Sequence, residues 1–105
     1  MDNVLRTEYS EEFNYLMKNR MIMSFYKYGP IEENYGNKLV KAIPNLKKRL
    51  EMYEDTGNTE YLADVANFAM IEYMYPQHPK AHFNPGTEQY SPGLGGMTYR
   101  DIEKL

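Results

Sequence analysis

An all-α fold, an antiparallel helical bundle of three long segments, is predicted by three features of this chain. Apolar residues recur at spacings of three and four from Phe13 to Tyr28 and again from Tyr35 to Tyr53. Between Tyr61 and Tyr75 only Asp64, Asn67 and Glu72 are fully polar, the pattern of a helix covered on most sides. Start and stop signals bracket each stretch: Ser10 before Glu11 and Glu12, Gly29-Pro30, Gly57-Asn58-Thr59, and Pro76.

Size and composition narrow the function. With 105 residues, 42% of them hydrophobic, residues 1–105 form a single domain with a modest core, small enough that self-association would help it. The 12 Lys/Arg and 15 Asp/Glu are interspersed and sum to -3, which gives no electrostatic footprint for duplex nucleic acid. No cysteine is present, so disulfides, thiolate catalysis and cysteine-ligated zinc are excluded. The N-terminus lacks a basic start with an apolar run, and no uncharged stretch of 18 apolar residues occurs; a soluble, cytoplasmic protein without membrane association is expected. Eleven tyrosines and eight methionines without tryptophan supply stacking and packing surface.

In chain order, residues 1–9 read as a polar lead-in. Ser10 then caps a helix to Tyr28 whose inward stripe is Phe13, Leu16, Met17, Met21, Phe25 and Tyr28, with Arg20 and Ser24 in the same stripe. Arg20 either packs its stem and snorkels to the surface or pairs with an acidic group or anion. The segment from Ile31 to Thr56 is one kinked helix or two helices split at Pro44, with a restart near Ala42 to Asn45 preferred. Its Lys47-Lys48-Arg49 cluster reads as a solvated face. The third segment is capped by Asn58 or Thr59, and Glu60, Asp64 and Asn67 lie within about 60° of one another on it. So narrow a polar stripe on an apolar rod needs partners, a metal or a ligand. Because that rod is apolar on so many sides, a homo-oligomer is expected. Residues 76–97 hold four of six prolines, four of seven glycines and both histidines, and read as a long loop or lid. Thr98-Tyr99-Arg100-Asp101 reads as a capping box opening a short C-terminal helix to Leu105.

The chain has no GxxxxGK[ST], GxSxG or GxGxxG motif, and Pro79 between His78 and His82 argues against a helical zinc pair. The loop contributes Lys80, His82, Tyr90, Arg100 and the backbone of Gly93 to Gly96, a set able to meet an anion.

Leu62-Ala63-Asp64-Val65 in a buried helix, preceded by a helix ending in Glu54-Asp55-Thr56-Gly57, resembles the last helix pair of the MazG-like all-α nucleoside triphosphate pyrophosphohydrolases. Lys27-Tyr28-Gly29 followed by Asn34 is similar to phage relatives of the dATP/dGTP diphosphohydrolase type, and the resemblance spans roughly residues 13–75. It implies helical carboxylates around magnesium. Glu51, Glu54, Glu60 and Asp64 would be those ligands, but Tyr61 stands where the family has an acid, so the implied metal motif is incomplete. A frame of this kind without its metal implies cofactor-free binding or sequestration of a phosphorylated nucleotide or nucleotide-derived signal, as in a phage anti-defence sponge. Tyr28, Tyr61 and Tyr90 would stack on the base, Arg20, Lys27, Lys80 and Arg100 hold phosphate, and Asp64 and Asn67 meet ribose or base edges. The alternatives are a magnesium-dependent pyrophosphohydrolase and a protein-binding module presenting tyrosine and methionine.

Overall fold

The computed structural model describes residues 2–85. The expected C-terminal helix, most of the glycine-containing loop, and Tyr90 and Arg100 lie outside the described residues. Within them every regular element is helical: α1 (Asp2–Glu8), α2 (Glu11–Tyr28), a wide π-type turn at Glu32–Gly36, α3 (Ala42–Thr56) and α4 (Glu60–Met74). None of these helices is long and apolar enough to cross a membrane.

The lead-in expected at residues 1–9 is instead the helix α1. Its adjacent Val4 and Leu5 are both exposed and make no stripe, so periodicity has nothing to register. A hydrogen bond from the Thr7 hydroxyl to the Val4 carbonyl (3.2 Å) accompanies it, and Arg6 sits in its last turn, where a cation is favourable. α2 starts as read: the Ser10 Oγ accepts from the Phe13 N–H at 3.0 Å, and Glu11 and Glu12 sit at the positive end of the helix. It ends at Gly29, whose N–H donates to the Phe25 carbonyl at 2.8 Å.

The break in the second segment lies before Pro44. The π-type turn is followed by a non-helical link over 37–41, and α3 restarts at Ala42. Pro44 is the third residue of α3, where a backbone N–H has no intrahelical acceptor to lose, so the ring is harmless there. Asn34 organises the link: its carbonyl accepts from Leu39 (2.8 Å) and Val40 (3.1 Å), and its Nδ2 donates to the Tyr28 carbonyl at 3.0 Å. Beyond α4, the Gln77 amide donates to the carbonyls of Val40 (2.8 Å) and Tyr35 (3.3 Å), tying the link to the far end of the bundle.

A three-residue connection reverses the chain between α3 and α4. Gly57 is left-handed (φ 72°, ψ 8°) and its N–H donates to the Tyr53 carbonyl at 2.7 Å. Asn58, not Thr59, supplies the side-chain cap, its Oδ1 accepting from the Glu60 N–H at 3.1 Å. On α2, Met17 meets Asn67 while Arg20, a turn later, meets Asp64 and Glu60, so α2 also runs antiparallel to α4.

Burial departs most from expectation. Along α4 only Ala63, Asn67 and Ile71 are buried, and Tyr73 is 74% exposed. The apolar pattern predicts cover all round, but among the described residues only α2 and α3 pack on α4 extensively, and two neighbours cover part of a circumference. On α2 the inward face holds Phe13, Met17, Arg20, Met21 and Ser24; Leu16, Phe25 and Tyr28 are exposed.

A Cβ at Gly57 would meet nothing within 4 Å, so its substitution isolates the backbone cost. Gly57→Ala should lower unfolding stability by roughly 1 to 2 kcal/mol in urea denaturation, with Gly57→Asn recovering most of it.

Candidate functional site

Arg20 sits on the face of α2 that meets α4, and its guanidinium forks onto the acidic stripe. Nε and Nη2 donate to Asp64 Oδ1 (2.5 Å) and Oδ2 (3.1 Å), while Nη1 donates to Glu60 Oε1 (2.5 Å). Such two-pronged carboxylate binding is what a planar guanidinium does and an ammonium cannot. The Asp64 hydrogen bond, acting against partial burial, raises the Arg20 pKa above its ordinary value, so the charge is permanent. From α3, Arg49 Nε reaches Asp64 Oδ2 at 3.5 Å, so one carboxylate on α4 joins all three long helices. Of Arg20's two readings, the structure selects pairing over snorkelling.

One turn along α4, Asn67 is 5% exposed and its Nδ2 donates to the Met17 carbonyl at 3.0 Å. Its Oδ1 finds no donor among the described residues. Asn67 thus holds α2 against α4 rather than lining open space.

Beside the clamp a cavity of about 270 Å³ opens between α2 and α3, floored by Asp64 and Phe68 of α4. Arg20, Lys27, Tyr28 and Arg49 line it. A second cavity of about 340 Å³ shares Ser24, Tyr28, Arg49 and Phe68 with the first and adds Asn34, Tyr35 and Asn45. Together they form one groove, its outer end walled by the π-type turn. The Lys27 Nζ lies 5.3 Å from the centre of the Tyr28 ring, a cation over an aromatic face at the groove's edge. Lys27 makes no ion pair among the described residues, whereas Arg20 and Arg49 share Asp64 and Glu60. The charged side chains that line the groove are three cations, Arg20, Lys27 and Arg49, and one carboxylate, Asp64.

Of the residues read as ligand-binding, the structure brings Arg20, Lys27, Tyr28 and Asp64 to this groove. Tyr61 is half-buried on α4 and does not line it. Lys80 and His82 lie past the opposite end of α4. There the Lys80 N–H donates to His78 Nδ1 (3.0 Å) and its carbonyl accepts from His82 Nδ1 (2.9 Å). His82 lines a separate cavity of about 660 Å³ with His78, Tyr73 and Phe83. The carboxylates Glu51, Glu54, Glu60 and Asp64 do not converge: among the described residues no three His, Asp or Glu side chains are placed to hold one metal ion. Glu51 and Glu54 are exposed on α3, and Glu60 and Asp64 face Arg20.

Sequence reasoning missed Arg49, Asn45 and Phe68. The signal for Arg49 was present, since it stands three residues after Leu46 and four before Tyr53, within the apolar stripe of α3. Comparisons with protein-family models, curated proteins and solved structures found no match. The MazG-like resemblance therefore stands on its short helical motifs alone.

Burial separates the two halves of the clamp. The Asp64 side chain is 12% exposed and Glu60 57%. Asp64→Asn should cost about 1 to 3 kcal/mol in urea unfolding, because it removes the charged partner of Arg49 and leaves Arg20 with Glu60 alone. Glu60→Gln should cost less than about 1 kcal/mol. Equal losses would show that the contact to α3 adds nothing. A second expectation concerns Tyr35, whose burial raises its phenol above the usual value of 10.0. Its contribution is present below that value and is lost as pH rises through the higher folded-state value. Alkaline unfolding of Tyr35→Phe should therefore fall less steeply with pH than that of the wild type.

Proposed function

We propose that the groove between α2 and α3 binds a small phosphorylated molecule with an aromatic ring, of the nucleotide class, and holds it without chemical change. The observation that carries this reading is the convergence of Arg20, Lys27 and Arg49 with the Tyr28 ring on one groove. Cations at fixed positions attract phosphate, and a tyrosine face at the rim takes a base. The joined cavities have the size that small-molecule sites require, roughly 300 to 1,000 Å³. Ser24, Asn34 and Asn45 add neutral hydrogen-bonding groups suited to sugar or base edges.

Sequestration is favoured over hydrolysis by the state of the carboxylates. Asp64, which the pyrophosphohydrolase alternative needs as a metal ligand, already accepts two hydrogen bonds from Arg20 and pairs with Arg49 at 3.5 Å, and so pre-sets their geometry. An anion entering the groove finds Lys27 with no carboxylate partner among the described residues and two guanidinium groups whose positions are fixed in advance. A cytoplasmic store for a nucleotide-like signal fits this arrangement.

Thermal unfolding across a panel of nucleotides, cyclic nucleotides and ADP-ribose derivatives, with and without magnesium, tests the reading. A ligand at 100 times its dissociation constant stabilises by about 2.7 kcal/mol. Lys27→Met and Tyr28→Ala change exposed side chains that the fold does not need. Each should weaken the stabilising ligand about tenfold, which is about 1.4 kcal/mol. Stabilisation that survives both substitutions, or that comes with magnesium-dependent product, would overturn the proposal.

A further inference from the structure

The face of α2 turned away from α4 carries Tyr15, Asn19, Ile22 and Tyr26, spaced four, three and four. At 100° per residue they fall within a stripe about 60° wide, well removed from Arg20 and Ser24. The three apolar members are 65%, 55% and 82% exposed, and Asn19 between them is half-buried. Met23 flanks the stripe on one side and Lys18 and Phe25 on the other, all exposed, and the Phe25 and Tyr26 rings meet edge to face at 5.5 Å. Spacings of four and three with one polar member describe the seam of a two-stranded coiled coil.

The interior explains why this seam requires a cover. Among the described residues the buried apolar side chains are Ala42, Ala63 and Ile71, and no large side chain is fully buried. So small a core among the described residues leaves their helices short of apolar burial as a single copy. The five exposed apolar side chains of the seam and its flanks present on the order of 600 Å² of surface. That approaches the roughly 800 Å² per partner of a stable interface.

We infer that the cover is a second copy of this chain, packed α2 against α2 in parallel and in register. The choice of partner and direction rests on Asn19. In a parallel pair each Asn19 faces its own equivalent, and the amide, being both donor and acceptor, satisfies itself across the axis. Antiparallel packing would set Asn19 against Ile22 and leave the amide unpaired in an apolar contact. A two-fold pair formed in this way meets the groove only at Met23, which borders both, because Arg20, Ser24 and Tyr28 lie on other sides of α2.

The absence of native cysteine makes the test direct. The full-length wild type is measured by sedimentation equilibrium, and Ile22→Cys is oxidised mildly beside Lys48→Cys, an exposed position on α3, as control. The expected results are a mass twice 12.4 kDa, a disulfide-linked pair for Ile22→Cys, and none for Lys48→Cys. Ile22→Asp with Tyr26→Asp should halve the mass; where that variant fails to fold, the cysteine result decides. A folded wild type of 12.4 kDa, an Ile22→Cys variant that does not cross-link, or a double aspartate variant that keeps the doubled mass would overturn the inference.

Discussion

The Asp64 carboxylate is the point on which the bundle depends. It sits on α4 where both flanking helices can reach it, and it receives a two-pronged guanidinium from α2 and a longer contact from α3. With so few buried apolar side chains among the described residues, hydrophobic packing between these helices specifies their relative placement weakly. A carboxylate that is 12% exposed behaves differently, because any arrangement that separates it from both arginines leaves a shielded charge without a partner. The clamp therefore selects one register of α2 along α4, and Asn67 repeats the selection a turn away through the Met17 carbonyl.

The same arrangement positions the groove. Arg20 and Arg49 approach Asp64 from different helices, so their guanidinium groups converge, and the space between α2 and α3 is lined by both. Stabilising the fold and pre-setting a cationic groove are one act here. Lys27 and Tyr28 are added at the rim by the final turn of α2, which Gly29 terminates before the chain crosses over Asn34. A proposed nucleotide-like ligand would thus meet side chains whose positions are already determined by folding rather than by binding.

Much of this was legible in the residues. Ser10, Gly29, Gly57 and Asn58 marked helix ends because capping is local chemistry, settled within four residues. The polar stripe Glu60-Asp64-Asn67 announced a buried polar contact, and Arg20 was a candidate partner, because a carboxylate in an apolar helix has few alternatives. Helix α1 was not legible, since seven residues with two adjacent apolar side chains carry no period. Nor was the limited cover that α2 and α3 give α4: an all-round apolar helix reports that it requires burial, not how much of it two neighbouring helices supply. Lys80 and His82 share a chemical type with Arg20, and only the length of α4 separates them from it.

Gln77 stands outside the groove and beyond α4, yet its amide holds the carbonyls of Tyr35 and Val40, two residues of the groove's outer wall. That wall is irregular, a π-type turn followed by a link with a left-handed Lys38. Those two hydrogen bonds anchor the first residues past Pro76 to the groove's outer wall, so the chain leaves α4 beside the mouth of the site rather than away from it.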